Sequence, residues 1–131
     1  MNVLFLGGGK RLSLAEHFQR AAALEGISLN LFRIELYEQV AIASVAKVFK
    51  GPCFDSPEFR SYLWAVVESQ GIDVIVPLMD SATVVLSTMA NDLSSCCHCV
   101  VSEDDLCRMM QDKQLADEWF KAHDIPVPTS D

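Results

Sequence analysis

The sequence is poor in positive charge: ten lysines and arginines stand against 18 aspartates and glutamates, a formal net charge of −8. A nucleic-acid binder needs a basic stripe to neutralise phosphates, and a protein docked on an anionic membrane needs a basic face, so both partners are disfavoured. One phosphate or carboxylate stays within reach, because helix N-termini and backbone N–H groups bind anions without net positive charge. Long apolar runs are missing too; none approaches the roughly 20 residues that span a bilayer. The apolar stretch Val3 to Leu6 has no basic flank and runs at once into Gly7-Gly8-Gly9, which does not fit a signal peptide. Five cysteines, an odd number without a secretion pattern, read as reduced thiols in a cytoplasmic protein.

What is present is apolar bulk. Half of the 131 residues are hydrophobic, enough for one domain with a real core. Val3 to Leu6 reads as a strand buried on both faces. Leu14, Phe18, Ala21 and Ala22 recur at helical spacing over Leu12 to Leu24, and Gly26 is a stop. Ile27 to Ile34 alternates and predicts a second strand, and Lys47 to Phe49 a third, at an edge. The stretch between them, from Glu35 to Ser44, carries no clear period. Ser56-Pro57-Glu58 opens a helix with Ser56 as its cap; Phe59, Leu63, Val66 and Val67 form its apolar face, and Gly71 ends it. Asp73 to Pro77 predicts a fourth strand, Asp80 or Ser81 the cap of a helix through Ala90, and Cys97 to Val101 a fifth strand. Asp112 caps a last helix bearing Leu115, Ala116, Trp119 and Phe120. Buried strands alternating with helices imply right-handed crossovers. The expected fold is therefore a three-layer α/β/α, Rossmann-like domain with a mostly parallel sheet of about five strands.

In such a sheet ligands bind beyond the carboxyl ends of the strands, which points to the loops beginning at Gly7, Glu35, Pro77 and Ser102. Gly7-Gly8-Gly9-Lys10-Arg11 combines close backbone approach, a helix N-terminus and two cations, and suits an anion; the plainer alternative is a tight turn with two solvated bases. It is neither standard nucleotide loop. Leu12 stands where the dinucleotide pattern needs glycine, and Leu4 and Arg11 break the phosphate-loop pattern. Glu35 could hold a ribose hydroxyl or be solvated. Pro77 and Asp80 flank the next turn, where Asp80 either faces the cleft or caps the helix.

Cys96-Cys97-His98-Cys99 invites a metal reading, but neighbours on a strand point to opposite faces and no second pair follows. Buried thiols explain the run better, and no metal ligand is assigned. His17 and His123 have no sequence-visible partner, so no nucleophile–base pair and no catalytic residue is assigned either. A receiver-like signalling domain would need acidic residues after the first strand, where this chain has Gly7 to Arg11.

Two stretches carry a resemblance. Val45-Ala46-Lys47-Val48-Phe49-Lys50-Gly51-Pro52 leads through a helix to Gly71-Ile72-Asp73-Val74-Ile75-Val76-Pro77-Leu78-Met79-Asp80. Then Asp112-Lys113 precedes Trp119-Phe120 and Asp124-Ile125-Pro126-Val127-Pro128. Together these resemble the ATP-grasp superfamily, in particular proteins similar to the carbamoyl phosphate synthase large subunit. There a small Rossmann-like domain ends in such a signature and leads into the ATP-binding region. Asp124 departs from it, since the family often has glycine there.

The resemblance implies a domain over 1–123 and a linker over 124–131, into an ATP-grasp domain of on the order of 200 further residues. That domain would bind ATP and magnesium and would be this domain's partner within the same parent chain. The parent would be an ATP-dependent carboxylate ligase acting on a small molecule, and the 131 residues alone would bind neither cofactor and catalyse nothing. Gly7, Gly8, Gly9, Lys10, Arg11, Glu35, Pro77 and Asp80 would be the substrate-facing positions. An uncovered docking face could pair two copies as a homodimer. The alternative is a stand-alone nucleotide- or dinucleotide-binding module.

Overall fold

A computed structural model describes residues 1–37 and 39–128. Five strands, β1 (Asn2–Leu6), β2 (Asn30–Glu35), β3 (Lys47–Lys50), β4 (Val74–Pro77) and β5 (His98–Cys99), form one sheet in the order β3-β2-β1-β4-β5. Every pairing is parallel. The helices are α1 (Leu12–Leu24), α2 (Phe59–Gln70), α3 (Asp80–Leu93), α4 (Asp104–Gln111) and α5 (Lys113–Ala122). A 3-10 turn, Ala41–Ser44, occupies the stretch without a clear period. This is the expected three-layer α/β/α, Rossmann-like fold.

The centre of the sheet explains the pattern. In β1, Leu4 and Leu6 face one side and Val3 and Phe5 the other, and all four are buried. Leu4, Leu6, Ile34 and Ile75 pack under Phe59, Leu63 and Val67 of α2 and Leu86, Met89 and Leu93 of α3. Val3, Phe5 and Leu31 pack under Ala15 of α1 and Ile42 of the 3-10 turn. The second layer is narrower: an apolar groove of about 470 Å³ runs between α1 and β4, lined by Leu14, Phe18, Ala22 and Val74. No helix among the described residues is long and apolar enough to cross a membrane.

Several boundaries differ from those the sequence pattern predicts. β2 begins at Asn30, not Ile27. The carbonyl of Ser56, not its hydroxyl, accepts from Phe59 N at 3.1 Å, so a turn precedes α2 and Glu58 takes the cap position. Asp80 lies inside the first turn of α3, with extended Met79 before it and no side-chain cap, and the helix runs on to Leu93. β5 is reduced to His98–Cys99, because a tight turn with Val101 N donating to Cys99 O at 3.0 Å bends the chain off the sheet edge.

The sequence pattern does not predict α4; it marks Ser102 to Asp105 only as the end of a strand. The helix exists because it docks: Cys107 is buried, and Ser87 of α3 donates to Asp104 Oδ1 at 2.9 Å. Arg108, one turn on, and then Ser87 hold the Asp104 carboxyl below its ordinary range.

The last helix is as expected. Asp112 Oδ1 accepts from Gln114 N at 2.9 Å and Leu115 N at 3.1 Å. Gly71 closes α2 in the left-handed conformation (φ 57°), and Asp124 adopts the same conformation (φ 57°) just after α5. That conformation explains why glycine suits position 124. Thr129 to Asp131, the end of the expected linker, lie outside the described residues. Replacing Asp112 by Ala leaves two N–H groups of α5 uncapped and should lower stability by about 1 kcal/mol in urea unfolding; an unchanged midpoint would show that α5 does not fold with the domain.

Candidate functional site

Strand order reverses between β1 and β4, so their carboxyl ends form the crevice where parallel sheets bind ligands. β1 ends in two consecutive left-handed residues, Gly7 (φ 78°) and Gly8 (φ 76°), a backbone that side chains resist. Arg11 N then donates to Gly8 O at 2.7 Å and closes the turn into α1. Conformation is only half of the reason for glycine here. A Cβ on Gly7 would lie 2.6 Å from Met79 Cγ and Sδ, and one on Gly8 3.0 Å from Leu78 Cβ. The first loop is thus sealed against the β4–α3 turn, and Leu78 N donates to Leu6 O at 2.9 Å beneath it.

The predicted residues fall into two groups on either side of this seal. On one side lie Gly9, Glu35 and Val40: a Cβ on Gly9 would meet Val40 Cγ1 at 3.0 Å and Glu35 Oε1 at 3.1 Å. Lys10 and Arg11 are exposed beside them. On the other side a cleft of about 470 Å³ is lined by Pro77, Asp80 and Thr83, by Val100 to Ser102, by Leu106 and Met110 of α4, and by Trp119 of α5. Asp80 therefore faces the cleft and caps nothing. The cleft is largely apolar, and Asp80 is its carboxylate.

Glu35 is not solvated. Its side chain is only 14 % exposed and pairs through Oε1 with Nη2 of Arg33, a residue fully buried at 0 %. By its sequence alone Arg33 is an ordinary polar position of an alternating strand. The signal that marks it is its phase: Leu31, Arg33 and Glu35 share one face, and a strand second from the edge of a covered sheet has no solvent face. Arg33 sits between Phe5 of β1 and Val48 of β3. Its Nε and Nη1 meet no hydrogen-bond acceptor among the described residues. Burial pulls its pKa down to about 10, which leaves it charged at neutral pH.

The cysteine run is packing at two of its positions. Cys97 is buried and Cys99 half-buried against the α2–α3 core, whereas Cys96 is exposed and its Sγ donates to Leu93 O at 3.2 Å. Burial first, then the neighbouring thiols of Cys99 and Cys96, push Cys97 up to about 12. Among the described residues no group of three or more His, Cys, Asp or Glu side chains is placed to hold a metal ion. His123 stacks on Trp119 with ring centroids 4.0 Å apart.

The chain matches no protein-family model and no curated protein. The solved structures it resembles share a fold with it, and two enzyme types recur among them. N5-carboxyaminoimidazole ribonucleotide synthetase from Thermus thermophilus matches over 98% of this chain at 16% identity, with a TM-score of 0.64. The same enzyme from Thermotoga maritima matches over 98% at 19% identity and 0.64. The biotin carboxylase subunit of a pyruvate carboxylase matches over 99% at 19% identity and 0.62. This chain spans 31%, 32% and 29% of their respective lengths.

Two outcomes follow. Gly7→Ala should destabilise by about 2–4 kcal/mol, through the left-handed backbone and the collision with Met79. Met79 is 48% exposed, so Met79→Ala in the same chain should cost little and recover the steric part; a double variant no better than the single would refute the contact. In thiol labelling at pH 8, Cys53 and Cys96 should react at once and Cys97 only on unfolding; rapid labelling of Cys97 would contradict its burial.

Proposed function

We propose that this chain is the substrate-side and scaffolding domain of an ATP-grasp ligase-type enzyme, one that activates a carboxylate through an acyl phosphate. The observation that carries this reading is the likeness along almost the whole chain to the two types of ATP-grasp enzyme named above, of which it spans about a third. The Asp112-Lys113 to Pro128 signature supports it independently. The finer likeness to carbamoyl phosphate synthase rests on the sequence alone, on that signature taken together with the stretch from Val45 to Asp80.

In this reading the chemistry lies elsewhere in the parent chain. The partner domain holds ATP and magnesium, and the strand-end loops of this domain wall the substrate site. Gly7 to Arg11 and Glu35 line one side, Pro77 and Asp80 the other, and Leu78 and Met79 fix the distance between them. The apolar groove between α1 and β4 is a face such a domain could bury. The residues suit binding and orientation: glycine N–H groups and two cations for an anion, and one carboxylate in an apolar cleft. A stand-alone dinucleotide module is the weaker reading, because Glu35, the candidate for a ribose hydroxyl, is engaged by Arg33.

Calorimetry separates the two. The 131-residue chain should show no saturable binding of Mg-ATP or NAD(H) at millimolar concentration, while the parent protein should release ADP only when its carboxylate substrate is present. Tight ATP binding by this chain alone would overturn the proposal.

A further inference from the structure

We propose that the first loop and the Arg33–Glu35 pair form one subsite for an oxyanion, a carboxylate or a phosphate of the substrate. In it the loop N–H groups hold the anion from above and the guanidinium of Arg33 holds it from below. The inference deepens the substrate-side reading of this edge, and rests on it, by naming the ligand chemistry and a residue that the sequence did not disclose.

Three features converge there. α1 begins at Leu12 with no side-chain cap and no acidic residue in its first turn, so its leading N–H groups face the loop unshielded. Lys10 and Arg11 place exposed positive charge at the same turn. Arg33 is the independent observation. It is wholly buried, and its tip reaches Glu35 Oε1, which lies 3.1 Å from where a Cβ on Gly9 would be. The guanidinium therefore ends under the loop, not in the core.

A guanidinium has five N–H donors arranged as a fork that matches carboxylate and phosphate. Here Nη2 contacts the Glu35 carboxylate as an ion pair, and none of Nε, Nη1 and Nη2 makes a hydrogen bond among the described residues. A buried donor without an acceptor is destabilising, and a buried cation more so. An apolar side chain would fill the place between Phe5 and Val48 at lower cost, so a packing role alone does not account for arginine. A second anion at this edge would supply the acceptors that the described residues do not provide. Glu35 neutralises Arg33 while the site is empty, and so competes weakly with the ligand.

That competition sets the sign of the test. The isotope-labelled chain is titrated with inorganic phosphate and, separately, with acetate, each at constant ionic strength set with chloride. Backbone amides of Gly8, Gly9 and Arg11 and the Nε–H of Arg33 are followed by NMR. Saturable shifts in one arm identify the source of the anion as phosphate or carboxylate. Glu35→Gln should tighten binding several-fold by removing the competing charge, and Arg33→Met should weaken it at least tenfold. Arg33→Lys, which keeps a cation but not the fork, should recover only part.

No saturable shift in either arm overturns the subsite, as does unchanged binding in a folded Arg33→Met chain. Unchanged or weaker binding in Glu35→Gln would show that Arg33 serves only to hold Glu35. If Arg33→Met fails to fold, Glu35→Gln decides alone. The ATP measurement is separate: a chain that bound ATP yet lost the anion in Arg33→Met would keep the subsite and lose the ligase reading.

Discussion

Pairing of β1 on both sides governs the molecule. Leu4, Phe5 and Leu6 are each 0 % exposed, and β1 is bonded to β2 over its whole length and to β4 from Val3 on. A parallel strand so placed needs a helix layer on each face, because each crossover connection must lie on the sheet. It also places the turn after Leu6 at the centre of the carboxyl edge. From there the two halves of the chain diverge, β2 and β3 to one side and β4 and β5 to the other. The geometry of the edge then depends on how closely the loops after β1 and β4 approach, and the missing side chain of Gly7 sets that distance.

The edge carries two kinds of polarity for two physical reasons. Beyond Pro77 the cleft is apolar, and Asp80 is a carboxylate free of cap duty, since the cap position falls on Met79, whose side chain does not cap α3. On the other side a charge lies beneath the surface. Arg33 and Glu35 occupy consecutive positions of one face of β2, so the strand itself holds them together and little side-chain entropy is lost in pairing. Such a pair adds little net stability compared with apolar packing.

Local signals mislead wherever tertiary contacts override them. α4 is short, and its acidic start resembles a loop; it is helical because Asp104 finds a partner on α3 and Cys107 is buried, its Sγ donating to Ser102 O. Val101 is apolar and β-branched, which marks it as strand, yet it turns away from the sheet just after Val100, whose N–H still donates to Ile75 O at 2.9 Å. Ser56 has the right type and spacing for a cap, but the preceding turn satisfies the first N–H of α2 with a carbonyl. Asp112 meets no such competition, and its capping is legible.

The order of residues alone sufficed for the layered α/β class, the central buried strand, the glycine turn and the capped last helix. Each follows from local periodicity, backbone freedom or a contact within one turn of chain. It also marked Gly9, Glu35, Pro77 and Asp80 as strand-end residues, because the ends of buried strands are visible as breaks in apolar runs. Folding in three dimensions settled which of them lie together, that Asp80 faces the cleft, and that Arg33 is buried and paired with Glu35. Those depend on strand order and on which face of β2 is covered, and both are set by contacts between residues far apart in the chain.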